Sequence, residues 1–142
     1  MNPLIIVLFF QMGSSFLPNT ELSLGGVLLG DTPAHVQAVL GMPARSSPEL
    51  GAYDLRFEYP GMEIVFGGGA QTIISTEATY CTPVGACPGM SLKKLESLYG
   101  RGLHQRRSIG DSVLYSTLSE ECFIEAFITQ QVVKKLIVLC QP

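Results

Sequence analysis

Strict alternation of apolar and polar side chains marks Tyr53-Asp-Leu-Arg-Phe-Glu-Tyr59 as a strand, with Tyr53, Leu55, Phe57 and Tyr59 on one face and Asp54, Arg56 and Glu58 on the other. Pro60-Gly61 turns the chain into a second strand, Met62 to Phe66, and Gly67-Gly-Gly69 turns it into a third from Gln71 to about Tyr80. A helical period precedes them. Val36, Val39 and Leu40 share one side, Thr32 supplies an N-cap, Pro33 fits the first helical position, Gly41 stops the helix and Pro43 prevents its continuation. The same order returns downstream: Ser91 caps a helix from Leu92 to Tyr99, a polar loop runs from Arg101 to Gly110, and strands are predicted near Ser112–Thr117, Glu121–Ile128 and Val132–Cys140.

The two passages are one unit used twice. Gly26, Gly30 and Gly41 recur as Gly85, Gly89 and Gly100, each displaced by 59 positions, with Thr32 over Ser91 and Val36 over Leu95. The expected fold is therefore α+β: two tandem repeats, residues 22–80 and 81–142, each a short helix packed on a three-stranded or larger antiparallel meander. Neither repeat is large enough to bury a sizeable core alone, so the sheets are expected to join edge to edge or to pack as a pair. Residues 1–21 read as a signal peptide and irregular lead-in. The run Leu4 to Phe10 has the length of a signal-peptide hydrophobic region and is short of a membrane span. No Lys or Arg precedes it and no Ala-x-Ala follows, which leaves a buried first strand or a misplaced start as the competing readings.

The Gly26-x-x-x-Gly30-Asp-Thr start, followed by a helix and Leu40-Gly41-Met42-Pro43, is echoed by Gly85-x-x-x-Gly89-Met-Ser and Leu98-Tyr99-Gly100. Over roughly residues 22–140 this resembles the tandem-repeat fold of β-lactamase inhibitor protein and the related single-repeat outer-membrane assembly lipoproteins. The resemblance implies a concave sheet face presented to another protein, an enzyme in the inhibitor family.

A formal charge of −3 and the absence of a basic stripe exclude a nucleic-acid footprint; Arg101, Arg106 and Arg107 form the densest positive cluster and read as a solvated loop rather than a site for an acidic partner. Four cysteines in an exported chain point to disulfides. Cys81 and Cys87 flank a Pro/Gly turn, and Cys122 and Cys140 lie symmetrically about Gln131, where a hairpin would bring them opposite each other. The intervals between them lack the paired knuckles of a zinc site, and no cofactor is expected.

Catalytic chemistry finds no support in the pattern. His35 and His104 have no Cys, Asp or Glu at metal-ligand spacing, the serines lack a Gly-x-Ser-x-Gly elbow, and the Gly67–Gly69 run lacks the Gly-Lys-Ser/Thr of a phosphate loop. The expectation is a periplasmic or secreted, non-enzymatic module that binds another protein, an inhibitor of an exported enzyme being one form of it. Candidate contacts are Glu49, Tyr53, Arg56 and Glu58 in the first repeat and Tyr115, Phe123 and Phe127 in the second. Membrane contact is expected only through the amino-terminal apolar segment. Two readings compete: a small-ligand or lipid carrier using the apolar sheet face as a pocket wall, and a scaffold of an envelope assembly.

Overall fold

The computed structural model describes residues 16–48, 55–119 and 121–141. The apolar run over residues 4–10, and with it the signal-peptide reading, lies outside them, as do Glu49 and Tyr53. Thr32 and Ser91 are extended, and their hydroxyls accept the amide protons of His35 and Lys94 at 3.1 and 3.0 Å. These bonds start two helices, α1 (Pro33–Leu40) and α2 (Leu92–Tyr99). Each ends on a glycine: Gly41 (φ 85°) and Gly100 (φ 80°) take a left-handed conformation that a side chain would strain. Their carbonyls each accept a tyrosine hydroxyl, from Tyr59 and Tyr115, both at 2.9 Å. One helix end in each half is thus pinned to the sheet by the same device.

A small hairpin, β1 (Ser23–Leu24) with β2 (Val27–Leu28), precedes α1. Four strands follow each helix: β3 (Arg45–Pro48), β4 (Leu55–Tyr59), β5 (Met62–Phe66) and β6 (Ala70–Ser75), then β7 (Leu103–Arg107), β8 (Gly110–Ser116), β9 (Cys122–Thr129) and β10 (Val132–Cys140). All eight form one antiparallel sheet in the order β3-β4-β5-β6-β10-β9-β8-β7. The seam lies between the last strands of the two halves, where Ile74 pairs with Ile137 and Ile73 with Val138.

This arrangement corrects the expected fold class. Over the described residues the protein is mostly β, an eight-stranded sheet and a two-stranded one with two short α-helices, and not an α+β pair of helix-on-meander units. The reason is one of dimensions. An eight-residue helix is about 12 Å long, whereas eight strands at about 4.8 Å spacing span about 38 Å, so the helices cover only part of one face. Two strands also stand where none was predicted. Arg45–Pro48, left unassigned between Pro43 and Tyr53, and the predicted polar loop after Arg101 are the two edge strands, β3 and β7.

The helix-covered face carries the core. Across the sheet, Phe57, Ile64, Ile73, Val138, Ile124 and Tyr115 form one row, and each is between 0% and 5% exposed. Val36 of α1 and Leu95 of α2, the equivalent positions of the repeat, are fully buried beside it. A bulge between Val133 and Lys135 inserts Lys134 into β10. Val133 therefore joins Leu136 and Val138 in the core, rather than following Lys135 to the opposite face as unbroken alternation would place it.

The disulfides close where the cysteine spacing indicated. Cys81 bonds Cys87, and Cys122 bonds Cys140 across paired positions of β9 and β10. With no free cysteine among the described residues, this is the chemistry of an exported protein folded in an oxidising compartment.

Candidate functional site

No described element lies over the other face of the sheet, and its composition follows from register. Residues opposite each other in antiparallel strands point to the same side. One row therefore runs Ser47, Arg56, Val65, Thr72, Leu139, Phe123 and Ser116. The next runs Arg45, Glu58, Glu63, Ile74, Ile137, Glu125, Leu114 and Leu103. A third, shorter row holds Lys135, Phe127, Ser112 and Gln105.

The face is apolar in the middle and charged at both ends. Ile74, Ile137, Leu139 and Phe123 are half-buried around the seam. Toward the β3 edge, Arg45 and Arg56 reach Glu58 and Glu63 at 3.4 and 2.7 Å. Toward the β7 edge, Glu125 is 5% exposed, accepts the Ser112 hydroxyl proton at 2.6 Å and lies 3.3 Å from the Arg107 guanidinium. Lys135 carries its ammonium 4.6 Å from the centre of the Phe127 ring, so its stem shields that ring from water. The Arg45–Glu58 and Arg56–Glu63 pairs reach solvent and contribute little net stability, about 0–1 kcal/mol each; they fix the positions of the charges at that end of the face.

Of the sequence-derived contacts, the structure brings Arg56, Glu58, Phe123 and Phe127 together on this surface. Tyr115 does not belong to it. It lies in the core at 5% exposure with its hydroxyl on Gly100, and burial, reinforced by Glu96, pushes its phenol up to about 12. Arg45, Glu63, Ser112, Glu125 and Lys135 escaped the sequence reading. The Pro60-Gly61 hairpin held the signal for Glu63, since it sets Glu58 and Glu63 opposite each other.

Two other features carry polar or open structure. Beneath α2, Tyr99 donates to Glu21 Oε1 at 2.7 Å, and its oxygen lies 2.6 Å from the Thr82 hydroxyl, placed to donate to it. Burial, with the bond to Glu21 adding, raises the Tyr99 phenol well above its ordinary value. This cluster ties the segment before β1 to the second half, as do the bonds from Leu17 to Ser116 and from Ser119 to Asn19. An open cleft of about 470 Å³ lies beside Leu28, Leu29, Gly68 and the Cys122–Cys140 disulfide. No group of three or more His, Cys, Asp or Glu that could hold a metal occurs among the described residues.

No protein-family model matches the chain, and no curated protein does. Its fold is similar to that of an extracellular protein containing an SCP domain from Bacillus anthracis str. Ames, at a TM-score of 0.58 and 9% identity over 90% of this chain and 47% of that one. It is also similar to a cysteine-rich secretory protein from Staphylococcus aureus subsp. aureus Mu50, at a TM-score of 0.62 and 9% identity over 89% and 49% of the two chains. A looser likeness, TM-score 0.49 and 16% identity over 82% of this chain and 83% of the other, relates it to a DUF4309 family protein from Bacillus subtilis subsp. subtilis str. 168. The chain spans about half the length of the first two proteins, and at such identities the likeness is one of fold.

Proposed function

We propose that the protein is an exported, non-enzymatic module that binds another protein through the helix-free face of its eight-stranded sheet. One observation carries this reading: a half-buried apolar centre, Ile74, Ile137, Leu139 and Phe123, is flanked on the same face by fixed ion pairs at both ends. That division into apolar middle and polar rim is the anatomy of protein interfaces. Aromatic and arginine side chains, here Phe123 and Arg56, are the usual anchors. The glycine-and-helix motif, which resembles that of the β-lactamase inhibitor protein family, makes an exported enzyme the first partner to test, whether in a periplasm or outside the cell.

The test is capture from the native envelope and culture fluid by the oxidised protein, followed by mass spectrometry. A partner held by the wild type should be lost from Phe123→Asp and Ile137→Asp variants whose circular dichroism is unchanged. A partner retained by both folded variants would remove the face from the reading. The cleft of about 470 Å³ supports a second reading, a small-ligand carrier, because its size lies within the range of small-molecule sites. A co-purifying small molecule would identify it.

A further inference from the structure

Charge is divided unevenly between the halves. Residues 22–80 hold two Lys or Arg and six Asp or Glu, giving −4, whereas residues 81–142 hold seven and five, giving +2. The arginines of the helix-free face are neutralised by Glu58, Glu63 and Glu125. Those of the other side of the second half are not. Lys93 and Lys94 on α2, Arg101 just beyond it and Arg106 on β7 are exposed and have no ion pair among the described residues.

Arg101 and Arg106 of this set lie beside and on an open sheet edge. Among the described residues β7 ends the sheet and is hydrogen-bonded only to β8, so one side of its backbone is available for a further strand. His104 pairs with Val113 and Arg106 with Asp111, which puts both on the helix-covered side, beside a groove of about 300 Å³ that Leu92 also lines. Leu103, 61% exposed, and Gln105 point to the other side. The opposite edge is less receptive, since β3 has only four residues and closes on Pro48, which has no amide proton to donate.

We propose that the β7 edge takes an extended acidic segment of a partner protein as a ninth strand. Alternate acidic side chains meet His104 and Arg106, and the residues between them lie beside Leu103 and Gln105. Backbone hydrogen bonds supply the general attraction and the alternation supplies selectivity. The same cations repel the β7 edge of a second copy, so the charge that prevents self-association also selects the partner. This site is separate from the sheet-face reading and does not depend on it.

The probe is a seven-residue peptide of alternating Glu with Val or Thr, its Lys-for-Glu counterpart serving as control, added to the full oxidised chain. Amide shifts and hydrogen exchange are followed by nuclear magnetic resonance. The expected result is saturable binding of the acidic peptide alone, weakened by salt, with new protection confined to residues 103–107. Arg106→Glu should weaken it about tenfold, the change from one attractive exposed pair to a repulsive one. The His104→Ala, Arg106→Ala double variant, which adds no charge beside Asp111, should weaken it as well. Equal binding of the lysine peptide, unchanged affinity in the double variant, or displacement by dextran sulfate without β7 protection would each overturn the proposal. Phe123→Asp leaves this binding intact, so the two sites fail separately.

Discussion

Removing one hydroxyl, by Tyr99→Phe, tests the link between the lead-in segment and the second half. Glu21 is 8% exposed, and its Oε1 receives the Tyr99 proton at 2.7 Å and the Val84 amide at 3.3 Å. The shorter bond is charge-assisted, and such bonds contribute about 1.5–3 kcal/mol. Phenylalanine fills the same volume, so no cavity arises, but Glu21 Oε1 keeps only the longer bond and Thr82 loses its acceptor. The expected loss is about 2 kcal/mol, or about 6 °C in melting temperature for a domain of this size. Urea unfolding of wild type, Tyr99→Phe, Glu21→Gln and the double variant, all with disulfides intact, measures the coupling directly. A coupling near 1.5 kcal/mol supports the linkage. A value below about 0.5 kcal/mol, within the scatter of independent sites, would show that the cluster does not hold the segment in solution.

Three further outcomes are expected. Tyr115 has a folded-state pKa raised to about 12 from 10.0. Its contribution to stability is therefore complete below pH 10 and lost as pH rises through about 12; urea titrations above pH 10 should show a steeper decline in wild type than in Tyr115→Phe. Replacing Cys122 and Cys140 by serine opens a loop with sequence separation 18 and should cost about 3 kcal/mol, against about 2 kcal/mol for Cys81 and Cys87 at separation 6, read from denaturant midpoints. Gln130 and Gln131 both take positive φ, 52° and 65°, in the two-residue turn between β9 and β10. Gln130→Asn with Gln131→Gly suits that turn and should raise the melting point, by about 1 kcal/mol of stability; an unchanged or lower value would refute the strain.

What could be read from the chain depended on burial. Phe57 alternates with the polar neighbours Arg56 and Glu58 because one side of its strand is packed, and that strand was visible as a pattern. β3 and β7 bury almost nothing: Arg-Ser-Ser-Pro and Leu-His-Gln-Arg-Arg are held by backbone bonds to one neighbour, and backbone bonds leave no hydrophobic period. Missing them made the sheet look smaller and the helices weightier than they are. The bulge at Lys134 is hidden from a pattern reading in another way, since one inserted residue reverses every side chain beyond it. Part of the candidate face, Arg56, Glu58, Phe123 and Phe127, was accessible from alternation alone. Tyr115 was misplaced because an aromatic residue looks the same in a core and at an interface. Glu21 and Tyr99, 78 residues apart, left no local trace at all.

The position of β10 orders the events of folding. The strand is made after the other nine described strands, yet it stands at the middle of the sheet and, among the described residues, supplies the only ladder between β6 and the second half. A nascent or partly translocated chain can close the Cys81–Cys87 loop early, but its first four sheet strands end at an open flank until residues 132–140 arrive. Export machinery that threads unfolded polypeptide therefore meets a chain whose central ladder cannot form before that last stretch has passed.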